Sequence, residues 1–393
     1  MIQLDQSQRA AVKFAAGHRF SIVNGGAGCG KTTIIREIFD TLQQEGEKVF
    51  LCAFAGKAAA RLKEATGKPA STIHALLHYD GALFNAQPFP DHTVIVDESS
   101  MIDSILLAEI VRRNPKRLVL VGDQAQLTPV GAGQPFHDLI ELHPEHVRTL
   151  TTCYRNSEAV FKAASAIRRG EMPLLHDKSA AEEWDVYDSG EAEETQKVIL
   201  EWVKKGVFDF EQDILLAPKN GERNRETGEF PACTVGRLNE EICRIVNPRS
   251  SGDSRRLIPG DRVINNKNNP DKQIWNGTTG TVHAIDDDGR MWIRLDVPVD
   301  GTDMVLLDRD EQKELSHAYA LTVHKAQGSQ YRNVCFVCLM RDRFILNRAL
   351  IYTAITRTRR RCIVAGQVSA LRRSMQIERS KQTVIQLISE KGV

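Results

Sequence analysis

Short apolar runs alternate with amphipathic stretches through the first 150 residues of the chain. FSIVNG (20–25) leads into a helical pattern from Lys31, and KVFLCAF (48–54) into one over 56–66. TVIVDE (93–98) leads into one near 103–112, and RLVLVGD (117–123) is followed by HVRTL (146–150). Runs this apolar, separated by helices, predict a parallel sheet covered on both faces, because crossover helices bury both sides of every strand. The segment 78–92, HYDGALFNAQPFPDH, breaks the rhythm. Its Asp-Gly and Asn supply turn geometry and its prolines stiffen the return, so it predicts a small projecting hairpin with Phe84 and Phe89 as its apolar side chains.

A second α/β pattern begins near 151. Helices are expected over 156–169, around 195–205 and over 233–246, with a closing helix over 368–390; DILLAP (213–218), NVCFVCLM (333–340) and RCIVAG (361–366) read as buried strands. The acidic stretch 173–212 carries no chemical signature and, apart from its helix, reads as solvated surface. GDRVINNKN (260–268) predicts a strand and a turn. Between 278 and 315 the runs GTVHAI, MWIRLD and DMVLL are short, alternating and split by DDDG and VDGTD, which predicts a small antiparallel barrel. The expected domains are therefore 1–150 with its insertion at 78–92, then 151–277 together with 316–393, and the inserted barrel at 278–315.

Composition narrows the class. The chain has 393 residues, enough for two or three domains, and 52 Lys+Arg against 51 Asp+Glu leave a net charge of +1. That excludes a polybasic tail-type binder and still allows a basic stripe on one face. There is no run of 18 apolar residues and no signal-peptide pattern at the start, so a cytoplasmic protein with no membrane partner is expected. The eight cysteines are scattered, and no paired four-ligand spacing is evident; they read as buried free thiols in a reducing compartment.

The strongest chemical signal is GGAGCGKTT, comprising Gly25, Gly26, Ala27, Gly28, Cys29, Gly30, Lys31, Thr32 and Thr33. It lies between a strand and a helix, the setting in which successive backbone amides and a helix N-terminus cradle phosphates. Lys31 supplies a charge to the β- and γ-phosphates of ATP, and the Thr32 hydroxyl can reach Mg2+. In VIVDESS, Asp97 ends a strand where its carboxylate can hold the magnesium shell, while Glu98 is placed to polarise the attacking water. Gln124, after the strand that should neighbour that of Asp97, can sense the γ-phosphate. Arg155 and Arg357 come from the second unit and can clamp the transferring phosphoryl across a cleft. Arg359, Arg360 and Arg361 read either as ordinary basic surface or as phosphate contacts. A groove for substrate is indicated by Lys57, Ser71, Thr72 and His74 in the first unit, by Asn276, and by the polar block HAYALTVHKAQGSQY (317–331).

These motifs, taken in order, carry a resemblance. GGAGCGKTT, AGKAAARL, STIHALL, VIVDESSMID, LVGDQAQLTPVGAG, LTTCYRN, ALTVHKAQGSQ and YTAITRTR resemble the helicase motifs of superfamily 1, and STIH, VHKAQGS and YTAITR are similar to its RecD-like and phage Dda-like branch, superfamily 1B. The resemblance spans about residues 3–366. It implies two RecA-like P-loop motor domains moving 5′→3′ on single-stranded DNA and opening partial duplexes, driven by Mg2+ and ATP. It makes 78–92 a strand-separating 1B insertion, with at least one of Phe84 and Phe89 expected to face the duplex junction and contact DNA, and 278–315 an SH3-like 2B insertion. It makes Gln8 an adenine reader, assigns Lys57, Ser71, Thr72, His74, His324 and Ser329 to the DNA path or its coupling, and gives Arg155 and Arg357 to the γ-phosphate. A bare, monomeric motor core is expected, working with a replication or recombination protein. Two departures stand out: CAFAGKAAARL lacks the Pro-Thr pair common before the family's Gly-Lys, and the 1B insertion is very short. An RNA-directed helicase and a non-unwinding, ATP-gated binding module are the competing readings.

Overall fold

The computed structural model describes residues 4–152, 159–179, 182–253, 256–299 and 301–378. The chain divides at residue 156 into two compact units.

The first unit runs α1 (Gln6–Gly17), β1 (Phe20–Gly25), α2 (Lys31–Gln44), β2 (Lys48–Ala53), α3 (Gly56–Thr66), β3 (Ser71–Thr72), α4 (Ile73–Leu76), β4 (His92–Asp97), α5 (Ser104–Arg112), β5 (Arg117–Gly122), α6 (Pro135–Leu142) and β6 (Val147–Leu150). Its strands form one sheet in the order β3-β2-β4-β5-β1-β6, parallel throughout. The apolar runs are the reason: Ile22 and Val23 of β1, Val94, Ile95 and Val96 of β4, and Leu118 to Val121 of β5 are all buried. The helices contribute one apolar face each, as in α2, where Ile34, Ile35, Ile38, Phe39 and Leu42 point into the core. Helix starts are capped by side chains where the sequence offers them. Asp5 and Gln8 form a reciprocal capping box at α1, and Thr72 and Asp103 cap α4 and α5.

The second unit contains α7 (Ala159–Arg168), β7 (His176–Lys178), β8 (Glu183–Asp188), α8 (Ala192–Lys204), β9 (Ile214–Ala217), α9 (Val235–Val246), β10 (Arg262–Asn265), β11 (Thr279–Ile285), β12 (Met291–Val299), β13 (Thr302–Leu307), β14 (Leu315–His317), β15 (Ala320–Thr322), β16 (Tyr331–Cys338), α10 (Arg348–Ile355), β17 (Thr358–Gly366) and α11 (Val368–Met375). One sheet has the order β15-β9-β16-β17-β8-β7 and is parallel except for the β7–β8 pair. The other is antiparallel, in the order β13-β12-β11-β10-β14.

Several expectations change. The antiparallel sheet is wider than 278–315, because β10 pairs with both β11 and β14 and so brings 262–265 and 315–317 into it. The stretch 173–212 is not mere surface: within EEWDVYD, β8 pairs along its length with β17, and Trp184 and Val186 are buried on one face while charges occupy the other. The closing helix is seen as α11, which ends at Met375; residues 379–393 lie outside the described part. The seven described cysteines are free and buried, as expected, and Cys153 lies outside.

The insertion 78–92 is a turn closed by one antiparallel bridge, Tyr79 to Phe84, rather than a two-stranded hairpin. Asp80 organises it by accepting from the amides of Ala82 and Leu83. Phe89 is only 8% exposed and joins the core of the first unit, edge-on to Phe50 at 5.5 Å. Phe84 is half-buried against the same core, and Arg113 Nη2 donates to its carbonyl at 2.6 Å. Both phenylalanines therefore anchor the loop, and the apolar side chain at its tip is Leu83, 66% exposed. The expected consequence is that Phe89→Ala costs about 3 kcal/mol of stability in urea unfolding of the intact chain, as for other buried Phe deletions. Leu83→Ala should stay within about 0.5 kcal/mol. Equal costs would contradict the anchor assignment.

Candidate functional site

Because β5 lies between β1 and β4, the segments that follow these three strands emerge side by side at the carboxyl edge of the first sheet, where ligands bind in open parallel sheets. The first is the glycine loop. Gly28 and Gly30 take φ of 80° and 78°, left-handed values that a side chain resists. A Cβ on Gly25 would come within 2.9 Å of Leu150. Lys31 Nζ donates to the carbonyls of Gly25 at 2.7 Å and Gly26 at 3.1 Å, so the ammonium is held over the loop. Helix α2 starts at Gly30 without a side-chain cap, which leaves the amides of its first turn for an anion.

The second segment follows β4. Asp97 Oδ1 accepts from the amide of Glu98 at 2.8 Å. Burial, then the charge of Glu98, pushes the Asp97 carboxyl up to about 6, while Lys31 and Arg61 pull the other way. Glu98 itself has φ 50° and ψ 41°, a left-handed conformation unusual for a residue with a side chain. Its Oε2 is buried without a hydrogen-bond partner. Backbone strain and unpartnered buried oxygens of this kind cluster at functional sites. The third segment, after β5, carries Gln124. Its amide donates to Asn24 Oδ1 at 3.1 Å and its Oε1 accepts from Asn24 Nδ2 at 3.4 Å, which ties the glutamine to the residue just before the glycine loop. His137, on α6, shares a 2.9 Å hydrogen bond with the Gln124 carbonyl, and burial lowers its pKa.

The structure thus groups Gly25, Gly26, Ala27, Gly28, Cys29, Gly30, Lys31, Thr32, Thr33, Asp97, Glu98 and Gln124 at one edge. Gln8, the expected adenine reader, lies beside the glycine loop. It is buried, its Oε1 accepts from the Asp5 amide at 3.1 Å, and its Nε2 donates to the Cys29 carbonyl at 3.3 Å. Its amide thus fastens α1 to the glycine loop. Sequence reading missed Asn24, Arg61 and His137; the one signal was a polar Asn at the end of an otherwise apolar strand.

Lys57, Ser71, Thr72 and His74 also follow strand ends at this edge, after β2 and within the β3–α4 step. The Thr72 hydroxyl accepts from the Ala75 amide at 3.0 Å. His74 is half-buried among Phe54, Tyr79 and Phe84, and burial lowers its pKa.

In the second unit, His324 and Ser329 lie on the loop between β15 and β16. His324 is half-buried, with its pKa lowered by burial. Ser329 is buried and does not present itself at the surface; its carbonyl accepts from Arg357 Nη1 at 3.4 Å. Arg357 is 4% exposed and also donates to the Thr353 carbonyl at 3.1 Å and to Thr356 Oγ1 at 3.3 Å. Asn276 is exposed on the loop between β10 and β11. Of the three neighbouring arginines, Arg361 pairs with Glu183 and Asp185, and Arg359 contacts Gln330. Arg155 lies outside the described residues.

Comparison with known proteins places this arrangement. A family model described as an AAA domain matches residues 3–185, and one described as a UvrD-like helicase C-terminal domain matches 317–365. An ATP-dependent RecD2 DNA helicase of Deinococcus radiodurans is 34% identical over 377 residues, covering 93% of this chain. The chain is similar to the RecD-like helicases of superfamily 1B. It spans half the length of that relative. The RecBCD enzyme subunit RecD of Mycolicibacterium smegmatis is 28% identical over 424 residues, 96% of this chain and 74% of the relative. Among solved structures, the Pif1 helicase from Bacteroides in complex with ADP-AlF3 and ssDNA matches with a TM-score of 0.59 at 17% identity, covering 100% of this chain and 97% of the other; at that identity the likeness concerns the fold, a RecA-like helicase core. No helix among the described residues is long and apolar enough to cross a membrane.

Within this helicase core, Asn24→Ala would remove both bonds to Gln124 and leave its amide without that acceptor. At about 1.4 kcal/mol for the pair, ATP turnover should fall roughly tenfold with ATP affinity within about twofold. Steady-state turnover and equilibrium nucleotide binding check this. A loss confined to binding would contradict the link.

Proposed function

We propose that the chain is an ATP-driven motor that translocates 5′→3′ on single-stranded DNA and separates duplexes. The observation that carries this reading is the convergence, at one sheet edge, of the Lys31 loop, the Asp97–Glu98 pair and Gln124, in a chain that also carries the helicase C-terminal segment.

The donor set fits a nucleotide with its magnesium ion: a first helical turn without a cap, a held ammonium, and a buried, unpartnered carboxylate oxygen face the same edge. Thr32 and Asp97 are the residues to hold the metal, which, when bound, supplies charge neutralisation at the phosphates. Lys31 and the α2 amides bind and orient the β- and γ-phosphates. Glu98 accepts the proton of the attacking water at a carboxylate oxygen, and Gln124, fixed through Asn24, senses the γ-phosphate. Gln8 contributes by fastening α1 to the loop under the nucleotide. Arg155 and Arg357 are assigned to the γ-phosphate, where guanidinium forks neutralise charge developing in transfer. Their neutralisation removes turnover more than single-strand binding.

Lys57, Ser71, Thr72, His74, Asn276 and His324 are assigned to the DNA path, with Ser329 coupling that path to Arg357 through its carbonyl. With a net charge of +1, DNA affinity rests partly on non-ionic contacts, so its salt dependence should match only a few phosphates, about −0.7 per phosphate on single strands. Contact with the duplex junction is assigned to Leu83 at the tip of 78–92, which Phe84 and Phe89 hold in place.

The test is strand separation on partial duplexes with a 5′ or a 3′ single-stranded tail, with DNA and RNA loading strands compared. Separation from the 5′ DNA tail alone is expected, and Leu83→Ala should reduce it while leaving DNA-stimulated ATP turnover intact. Separation from the 3′ tail, or a stronger response to RNA, would overturn the reading.

A further inference from the structure

The antiparallel sheet of the second unit is joined to the α/β part by two chain crossings, one entering at β10 and one returning from β14. Three buried side chains of different chemistry meet at these crossings: Cys243 on α9, Asp261 just before β10, and His317 at the end of β14. Cys243 Sγ lies 3.3 Å from Asp261 Oδ1 and 3.4 Å from His317 Nε2, and His317 Nε2 lies 3.4 Å from Asp261 Oδ2. Among the described residues this is the one group of His, Cys and acidic side chains whose donor atoms converge in this way.

The spacing, close enough for hydrogen bonds, also fits a metal's coordination shell. Around tetrahedral zinc, with Zn–S about 2.3 Å and Zn–N or Zn–O about 2.0–2.2 Å, ligand atoms stand about 3.4–3.6 Å apart. A fourth oxygen is at hand, because the Tyr319 hydroxyl hydrogen-bonds Cys243 while accepting from the Arg262 amide at 3.2 Å. The carboxylate is already oriented: Asp261 accepts from Asn247 Nδ2 at 2.8 Å, Ser250 Oγ at 3.1 Å and the Ile258 amide at 3.0 Å, the outer-shell bonding typical of a metal-bound acid.

We propose that Cys243, Asp261 and His317, with the Tyr319 hydroxyl beside them, form a structural zinc site that staples both crossings of the antiparallel sheet to α9. With zinc bound, a thiolate, a neutral imidazole and a carboxylate would balance the two positive charges of the ion in this dry site. Mixed sulfur, nitrogen and oxygen donors favour zinc over magnesium or calcium.

The experiment uses the full chain without a metal-binding tag, loaded with zinc sulfate, desalted and analysed for metal. About one zinc per chain is expected. Cys243→Ser, which keeps the side-chain volume, and His317→Asn should each fall to background while keeping basal ATP turnover, which shows that they fold. Loading with Co2+ instead should give a thiolate-to-cobalt absorption band that Cys243→Ser abolishes although the other cysteines remain. Active wild-type protein without zinc after loading, or variants that retain zinc as the wild type does, would overturn the site and leave the cluster as a hydrogen-bonded network.

Discussion

The parallel pairing of β1 with β5, and of β5 with β4, sets Asn24 opposite Gly122 and Val96 opposite Leu120. The strands end almost level, so three separate stretches of sequence leave the sheet at the same edge. Side chains alternate between faces along a strand, so a slip of one residue would carry Asn24 and Asp97 to the other face and force both buried layers to repack. The same burial that stabilises the sheet therefore aligns Lys31, Asp97, Glu98 and Gln124, and the bonds from Asn24 to Gln124 and from Gln8 to the Cys29 carbonyl hold the loops that carry them.

Much of this is readable from residues because it rests on local pattern. Continuous apolar runs have few alternatives to buried parallel strands, and a glycine loop ending in Lys-Thr between a strand and a helix has one well-understood use. What stayed hidden depends on contacts between distant segments. β8 reads as acidic surface because only Trp184 and Val186 face inward, and its partner β17 lies about 175 residues further on. β10 looks like part of the α/β body until its pairing with β11 and β14 is seen. Phe89 sits in a proline-rich stretch with no periodicity to reveal that it faces the core. Gln8 carries the residue type expected of an adenine reader, and only its place in the capping box shows that both ends of its amide are engaged.

The second unit makes a similar use of short polar segments between buried strands. Arg357 donates to the Thr353 and Ser329 carbonyls and so ties the segment before β17 to the polar loop before β16. Lys325, on that same loop, donates to Asn266 Oδ1 at 2.6 Å beside the antiparallel sheet. Loop, arginine and antiparallel sheet thus form one hydrogen-bonded chain inside the unit. Under the proposed motor function, such a chain is a physical route by which phosphate chemistry and a moving strand could bias one another.

At the centre of the account stands Glu98, with its left-handed backbone and unpartnered Oε2 next to Asp97. The direct test is ATP turnover and nucleotide binding of Glu98→Gln, which keeps the shape of the side chain and removes its basicity. The account predicts a loss of more than about 10²-fold in DNA-stimulated turnover, with nucleotide binding retained. Turnover within a few-fold of the wild type would contradict it.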